Sequence, residues 1–204
     1  LVKYRDPSCP FFLHLSFWAP HPPLIPPQAY WDRYYRRHRQ KPVISEWTPQ
    51  FQNIPRGIHD DSAKGPFSEE EMHDAIAGYF GLINHIDDRI RYVLTRMFEY
   101  GSPRASEPTV IIFSTDHGEM LGDHHLWRKS LPYEGSAHIP FFISWRNMDL
   151  KKGTCDRTVC LEDVAATVLD LCGQPVPEAL GGSFDSRSLA PLLRGEKIPV
   201  RDEL

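Results

Sequence analysis

Apolar residues recur at helical spacing over a long central stretch: Met72, Ile76, Tyr79, Phe80, Ile83, Ile86, Ile90, Val93, Leu94 and Met97. Steps of three and four place them along one face, which predicts an amphipathic helix over Ser68–Tyr100. Ser68 and Glu71 stand at capping-box spacing at its start, Gly101 ends it, and Pro103 prevents its return. Elsewhere the apolar positions form short unbroken runs, as in buried strands. Phe11–Phe17 is one, the run after Thr109 (Val110–Phe113) a second, and Ile139–Trp145 a third, with Pro140 at its start. Shorter helices are predicted over Gln28–Arg37, over Glu162–Cys172 with Gly173 closing it, and from Ser188 as cap to Leu193. Strands alternating with helices imply an α/β sheet with helices on its faces. Residues 20–66 are proline-rich and irregular, and a loop region of that length inside a compact domain packs over a site or serves one.

Charge narrows the functional classes. Lys plus Arg total 23 against 27 Asp plus Glu, a net charge of -4, which gives no support to nucleic-acid binding. The one basic cluster (Arg33, Arg36, Arg37, His38, Arg39 and Lys41) reads as a solvated face rather than a polyanion site. No apolar run is long enough to cross a bilayer, and the start at Leu1 lacks a signal-peptide pattern and reads as an internal piece. Cys9, Cys155, Cys160 and Cys172 form no C-x-x-C pair; free buried thiols are expected, with a Cys155–Cys160 bridge open.

The chemistry concentrates in residues 109–135, TVIIFSTDHGEMLGDHHLWRKSLPYEG. A buried strand that stops at Asp116-His117-Gly118 places an acid and an imidazole where α/β enzymes hold ligands, with a glycine to turn the backbone behind them. Carboxylate and neutral imidazole both bind metals, and Lys129 adds a fixed positive charge. Metal plus ammonium is equipment for holding sulfate or phosphate. His21, caged by Pro20, Pro22 and Pro23, is placed to act as a general acid or an anion ligand. Asp123-His124-His125 reads as a wall of the substrate pocket, with a second metal cluster as the alternative; His125 is the substrate-binding candidate there. His85 reads as a core or interface histidine, and Asp87 and Asp88 as helix-surface acids or acids that support a ligand rather than ligands themselves. Trp18, Trp31, Trp47 and Trp127 either pack cores or stack on a sugar ring.

Four ordered segments resemble the sulfatases of the alkaline-phosphatase superfamily: FFLHLSFWAPHPPLIPPQAY at 11–30, YFGLINHIDDRIRYVL at 79–94, STDHGEMLGDHHLWRKSLPYEG at 114–135, and RSLAPLLRG at 187–195. The resemblance implies an alkaline-phosphatase-like fold, a mixed, largely parallel sheet sandwiched between helices, with residues 1–204 forming the C-terminal portion of a catalytic domain. It implies hydrolysis of a small-molecule or glycan sulfate ester. Asp116 and His117 would be two metal ligands, Lys129 would contact sulfate and nucleophile, and His21 would contact sulfate and help the leaving group depart. Calcium is the expected divalent metal, with manganese or magnesium next, although an imidazole ligand suits zinc or manganese better than calcium. Many relatives have Asn where His117 stands, and often Arg where His138 stands.

The family nucleophile is a formylglycine made within Cys/Ser-x-Pro-x-Arg, a pattern this chain lacks; Ser130-Leu131-Pro132-Tyr133-Glu134 comes nearest and ends in Glu. The formylglycine is therefore expected in an N-terminal part outside the chain, and the 204 residues alone are expected to be inactive. Export is the expected localisation. Two alternatives stand: a phosphonate or phosphate monoester hydrolase of the same superfamily, and a non-catalytic relative serving binding or assembly.

Overall fold

The longest element begins with the predicted cap. Glu71 N donates to Ser68 Oγ at 3.2 Å and Ser68 N donates to Glu71 Oε2 at 2.8 Å, closing both halves of the capping box. Helix α2 then runs over Glu69–Phe98, with Glu69, Glu70 and Glu71 in its first turn where the helix dipole favours acids. The computed structural model describes residues 6, 8–37, 41–48, 67–99, 105–175 and 185–196. The predicted stop at Gly101 and Pro103 lies outside them.

The chain forms two compact units, one of Leu1–Ser106 with His117–Ile139 and the other of Glu107–Asp116 with Pro140–Leu204. In the first, α1 (Gln28–Tyr35) lies along α2. Two glycines let them approach. A Cβ at Gly78 would overlap the Leu24 carbonyl oxygen, and one at Gly81 would stand 2.7 Å from Pro26 Cγ. Around these notches Tyr34 stacks on Phe80 at 5.7 Å, and Tyr30 donates to Asp88 at 2.7 Å. That bond, with Arg91 beside it, holds the Asp88 carboxyl below the usual carboxylate range. His85 sits against Tyr30 at 5.0 Å, an interface histidine as expected.

Phe11–Phe17 is not a strand. The segment has no ladder, and Phe12, Leu13 and Leu15 are exposed. An apolar run has strand propensity, but strand structure needs a hydrogen-bonded neighbour, and the described residues supply none there.

In the second unit, β1 (Thr109–Ser114) pairs antiparallel with β2 (Phe141–Arg146) in a two-stranded sheet, Thr109 opposite Arg146 and Phe113 opposite Phe142. The last pair stacks at 4.7 Å. Helices α4 (Asp163–Leu171) and α5 (Ala190–Arg194) complete this unit, while a single-turn α3 (Glu134–Ala137) belongs to the first. Asp163, only 2 % exposed, ties α4 to the chain around it: Oδ2 accepts from Cys160 N at 3.0 Å and Oδ1 from Arg187 N at 2.8 Å. Ser188 Oγ accepts from Ala190 N at 3.1 Å, but the cap of α5 is Leu189, whose side chain makes no capping bond, so the predicted Ser188 cap is not found. The cysteines are free, but Cys9, Cys155 and Cys172 are exposed and Cys160 half-buried, so the expected buried thiols are not found. Cys172 is the C-cap of α4, past its last helical residue, where helical spacing no longer fixes an inward direction. Among the described residues no helix is long and apolar enough to cross a membrane.

Candidate functional site

His21 and Lys129 meet. Lys129 Nζ donates to His21 Nε2 at 3.3 Å across 108 positions of sequence, and both side chains are half-buried. The imidazole is oriented locally. Its backbone N donates to Trp18 O at 3.1 Å, its Nδ1 lies 2.8 Å from Pro22 O, and its ring packs on Trp18 at 4.6 Å. A carbonyl only accepts, so Nδ1 carries the proton and Nε2 is the nitrogen turned toward Lys129. The ammonium can donate to an oxygen anion, and Nε2 can join it as a second donor once it carries a proton.

Lys129 stands in a loop that the sequence builds at a cost. Leu121, His124, His125, Arg128 and Ser130 all adopt left-handed φ values, from 47° to 73°. Each such residue costs about 1–2 kcal/mol relative to right-handed backbone. Several contacts hold the shape. Met120, 1 % exposed, and Leu126 are buried beneath it with Leu131 and Tyr133 against them. Met120 N donates to Arg128 O at 2.9 Å, and Gly122 N to Leu126 O at 2.8 Å. Glu119 Oε1 accepts from Leu121 N at 3.2 Å and also from Arg128 N. Strain clustered in one packed loop marks a place where side-chain positions matter more than backbone comfort.

The chain passes from one unit to the other between Asp116 and His117. His117 Nδ1 lies 2.8 Å from Gly118 O and therefore donates, which leaves Nε2 with a lone pair, the form in which a histidine ligates a metal. Asp116 is exposed, and the preceding Thr115 has a buried Oγ1 without a hydrogen-bond partner among the described residues. Carboxylate and imidazole have the right chemistry for a divalent cation. Two donors make at most part of a ligand set, and among the described residues no group of three or more His, Cys, Asp or Glu side chains could hold a metal ion. That also leaves the alternative cluster at Asp123-His124-His125 without support. Gly118 differs from expectation: it is not among the left-handed glycines, and it serves close approach, since a Cβ there would overlap the Gly135 carbonyl oxygen.

His125 is half-buried in the loop at φ 65°. Its neighbour His124 does more than the sequence indicated: Nδ1 hydrogen-bonds Thr48 Oγ1 at 2.8 Å, and the ring packs on Trp47 at 4.4 Å. His138 pairs with Glu134 at 2.7 Å on the surface. Glu119 was not anticipated; its only trace in the sequence is an acid placed just after the Asp-His-Gly turn. Burial, with the Glu119 carboxylate second, raises the Tyr79 phenol above its ordinary value.

A family model described as Sulfatase matches residues 1–174. An arylsulfatase of Clostridium perfringens is 38% identical over 184 residues, which cover 89% of this chain and 38% of that protein. The phosphonate monoester hydrolase SpPMH from Silicibacter pomeroyi shares the fold at a TM-score of 0.55 and 35% identity, over 64% of this chain and 24% of that one. A structure solved in complex with its substrate D-glucosamine-2-N,6-O-disulfate matches at a TM-score of 0.52 and 26% identity, over 63% of this chain and 24% of that one. The chain spans about two fifths of the length of the arylsulfatase it matches.

Proposed function

This chain belongs to the sulfatase family, with an alkaline-phosphatase-like α/β fold, and from that premise we propose that the whole protein hydrolyses a sulfate ester. The observation that carries the reading is the 3.3 Å approach of Lys129 to His21. It brings a fixed cation and an imidazole nitrogen to one place.

In this reading Lys129 donates to a sulfate oxygen and stabilises charge that grows as the nucleophile's oxygen bonds to sulfur. As the bond from sulfur to the ester oxygen breaks, that oxygen takes a proton from Nε2 of doubly protonated His21. In the neutral ring Nε2 holds the lone pair turned toward Lys129, so it must first take up a proton from solvent. Nδ1 cannot serve, because its proton is committed to Pro22 O. The tight turn at Trp18–His21 and the packed loop at residues 119–130 hold the two groups in register without any need for substrate to order them. Sulfatases generally use a metal ion and a formylglycine, and a bound metal would neutralise sulfate oxygens and favour the ionised nucleophile. We propose calcium, with Asp116 and His117 as two of its ligands. No Cys/Ser-x-Pro-x-Arg occurs in the 204 residues, so the nucleophile would come from sequence beyond them.

The similarity to a phosphonate monoester hydrolase makes phosphonate esters the competing substrate class. The test is turnover by the full-length protein of para-nitrophenyl sulfate and of the matched phenylphosphonate ester. The sulfate ester should be the better substrate, and Lys129→Ala should lower its kcat/KM by about 10²–10³-fold with an unchanged melting temperature. Faster turnover of the phosphonate, or full activity in the variant, would overturn the reading.

A further inference from the structure

We propose that a cleft beside Trp47 binds an uncharged sugar ring that stacks on the exposed part of the indole. The assignment of that ring to the substrate rests on the sulfate-ester reading above; the binding itself does not. The cleft has a volume of about 370 Å³, enough for one hexose, and Trp47, His124, Tyr133, Asp123 and Glu134 line it. Its far wall, Pro132–Gly135, follows closely on Lys129 in the same segment.

The indole is exposed yet fixed. Trp47 remains 59% exposed although it packs on the His124 ring at 4.4 Å and on the Tyr133 ring at 5.9 Å. The short segment that carries it is tied to the 3-10 turn Asp123–His125 by bonds that span more than seventy residues of sequence. Val43 N donates to Asp123 Oδ1 at 2.7 Å, His124 N donates to Val43 O at 2.9 Å, and Thr48 Oγ1 bonds His124 Nδ1 at 2.8 Å. A large apolar ring held rigidly outward is a stacking platform, because its ordering entropy is lost before any ligand arrives.

Chemistry selects the occupant. An aromatic face meets the C–H face of a sugar, and the carboxylates of Asp123 and Glu134 accept from its hydroxyls. Among the described residues lining the cleft there is no Lys or Arg, so a ring bearing its own sulfate or carboxylate would be repelled by the two acids. A quaternary ammonium would be drawn to them, but an aromatic cage needs rings set apart around the cation. Here the rings touch one another, His124 and Tyr133 being only 5.3 Å apart, so a cation would meet one face alone.

Saturation-transfer NMR on the full-length protein tests this, with the uncharged methyl glycosides of glucose, galactose and N-acetylglucosamine as probes at up to ~50 mM, where millimolar affinity registers. At least one should bind. Trp47→Ala should weaken it about tenfold or more, and Trp47→Phe should retain it within about threefold, with melting temperatures confirming that both variants fold. Three results would overturn the proposal: no transfer to any glycoside, binding indifferent to Trp47→Ala, or displacement of the glycoside by tetramethylammonium or glucuronate at lower concentration than by a second uncharged glycoside. No probe carries sulfate. Sulfatase activity without glycoside binding therefore defeats this inference alone, and glycoside binding without sulfatase activity defeats the earlier reading alone.

Discussion

Two carboxylates in this protein do the same local job in opposite settings. Glu119 gathers the backbone N–H groups of Leu121 and Arg128, and Asp163 gathers those of Cys160 and Arg187. Around Asp163 the backbone is relaxed. Among the described residues of its unit the left-handed positions are two glycines, Gly173 at φ 66° and Gly195 at φ 82°, where no Cβ opposes them, and one non-glycine, Asn147 at φ 54°. Around Glu119 the left-handed positions fall on Leu121, His124, His125, Arg128 and Ser130, with Gly122 the one glycine among them. Glycine would be cheaper at each. Side chains kept there against that cost indicate a loop shaped for what it presents, Lys129 and the ring cluster at His124, whereas the Asp163 region is shaped to stay folded.

That contrast can be broken in several ways, the largest first. Asp163→Ala leaves two backbone donors unpaired in a buried place and should cost about 3 kcal/mol or more of stability, read from denaturant unfolding of the full-length protein. Full stability in this variant would remove one side of the comparison. Glu119→Gln keeps the shape but replaces a charged acceptor; it should cost about 1–2 kcal/mol. Its sharper signature is kinetic: kcat/KM for the sulfate ester should fall well beyond what Asp163→Asn produces, because the Lys129 loop loosens. Equal kinetic losses in the two variants would mean that the loop has no special role.

The backbone argument has its own pair of tests. Gly173→Ala meets nothing within 4 Å, so its expected loss of about 1 kcal/mol isolates the φ penalty. Ser130→Gly should gain up to about 1 kcal/mol by relieving the same penalty in the loop. A loss there would show that Ser130 has work the backbone does not reveal. The smallest effect appears only in acid. Arg194, with Ser188 second, holds the Asp170 carboxyl below the usual carboxylate range. Its contribution is full above the unfolded value of about 4 and is lost as pH falls through the lower folded value. Melting temperature should therefore drop with acidification more steeply in the parent protein than in Asp170→Asn.

The legible parts of the chain were those set by near neighbours. The capping box at Ser68 and Glu71, the helical stripe to Met97 and the β-branched run after Thr109 all act within a few residues, so spacing alone located α2 and β1. Asp116-His117 and Lys129 stood out as candidates because they sit in one short segment, within the stretch that the sulfatase model matches. What lay beyond sequence was everything that depends on a distant partner. Phe11–Phe17 has the composition of a strand and no ladder. The approach of His21 to Lys129 spans 108 positions, and the bonds that pin Trp47 beside His124 join segments nearly as far apart. Left-handed backbone at His124 and His125 cannot be read from histidine at all, since only packing beneath the loop makes it tolerable. Local interactions are repaid within a few bonds and leave a pattern in the chain, whereas the site depends on contacts whose entropy cost is met only once the whole unit has closed.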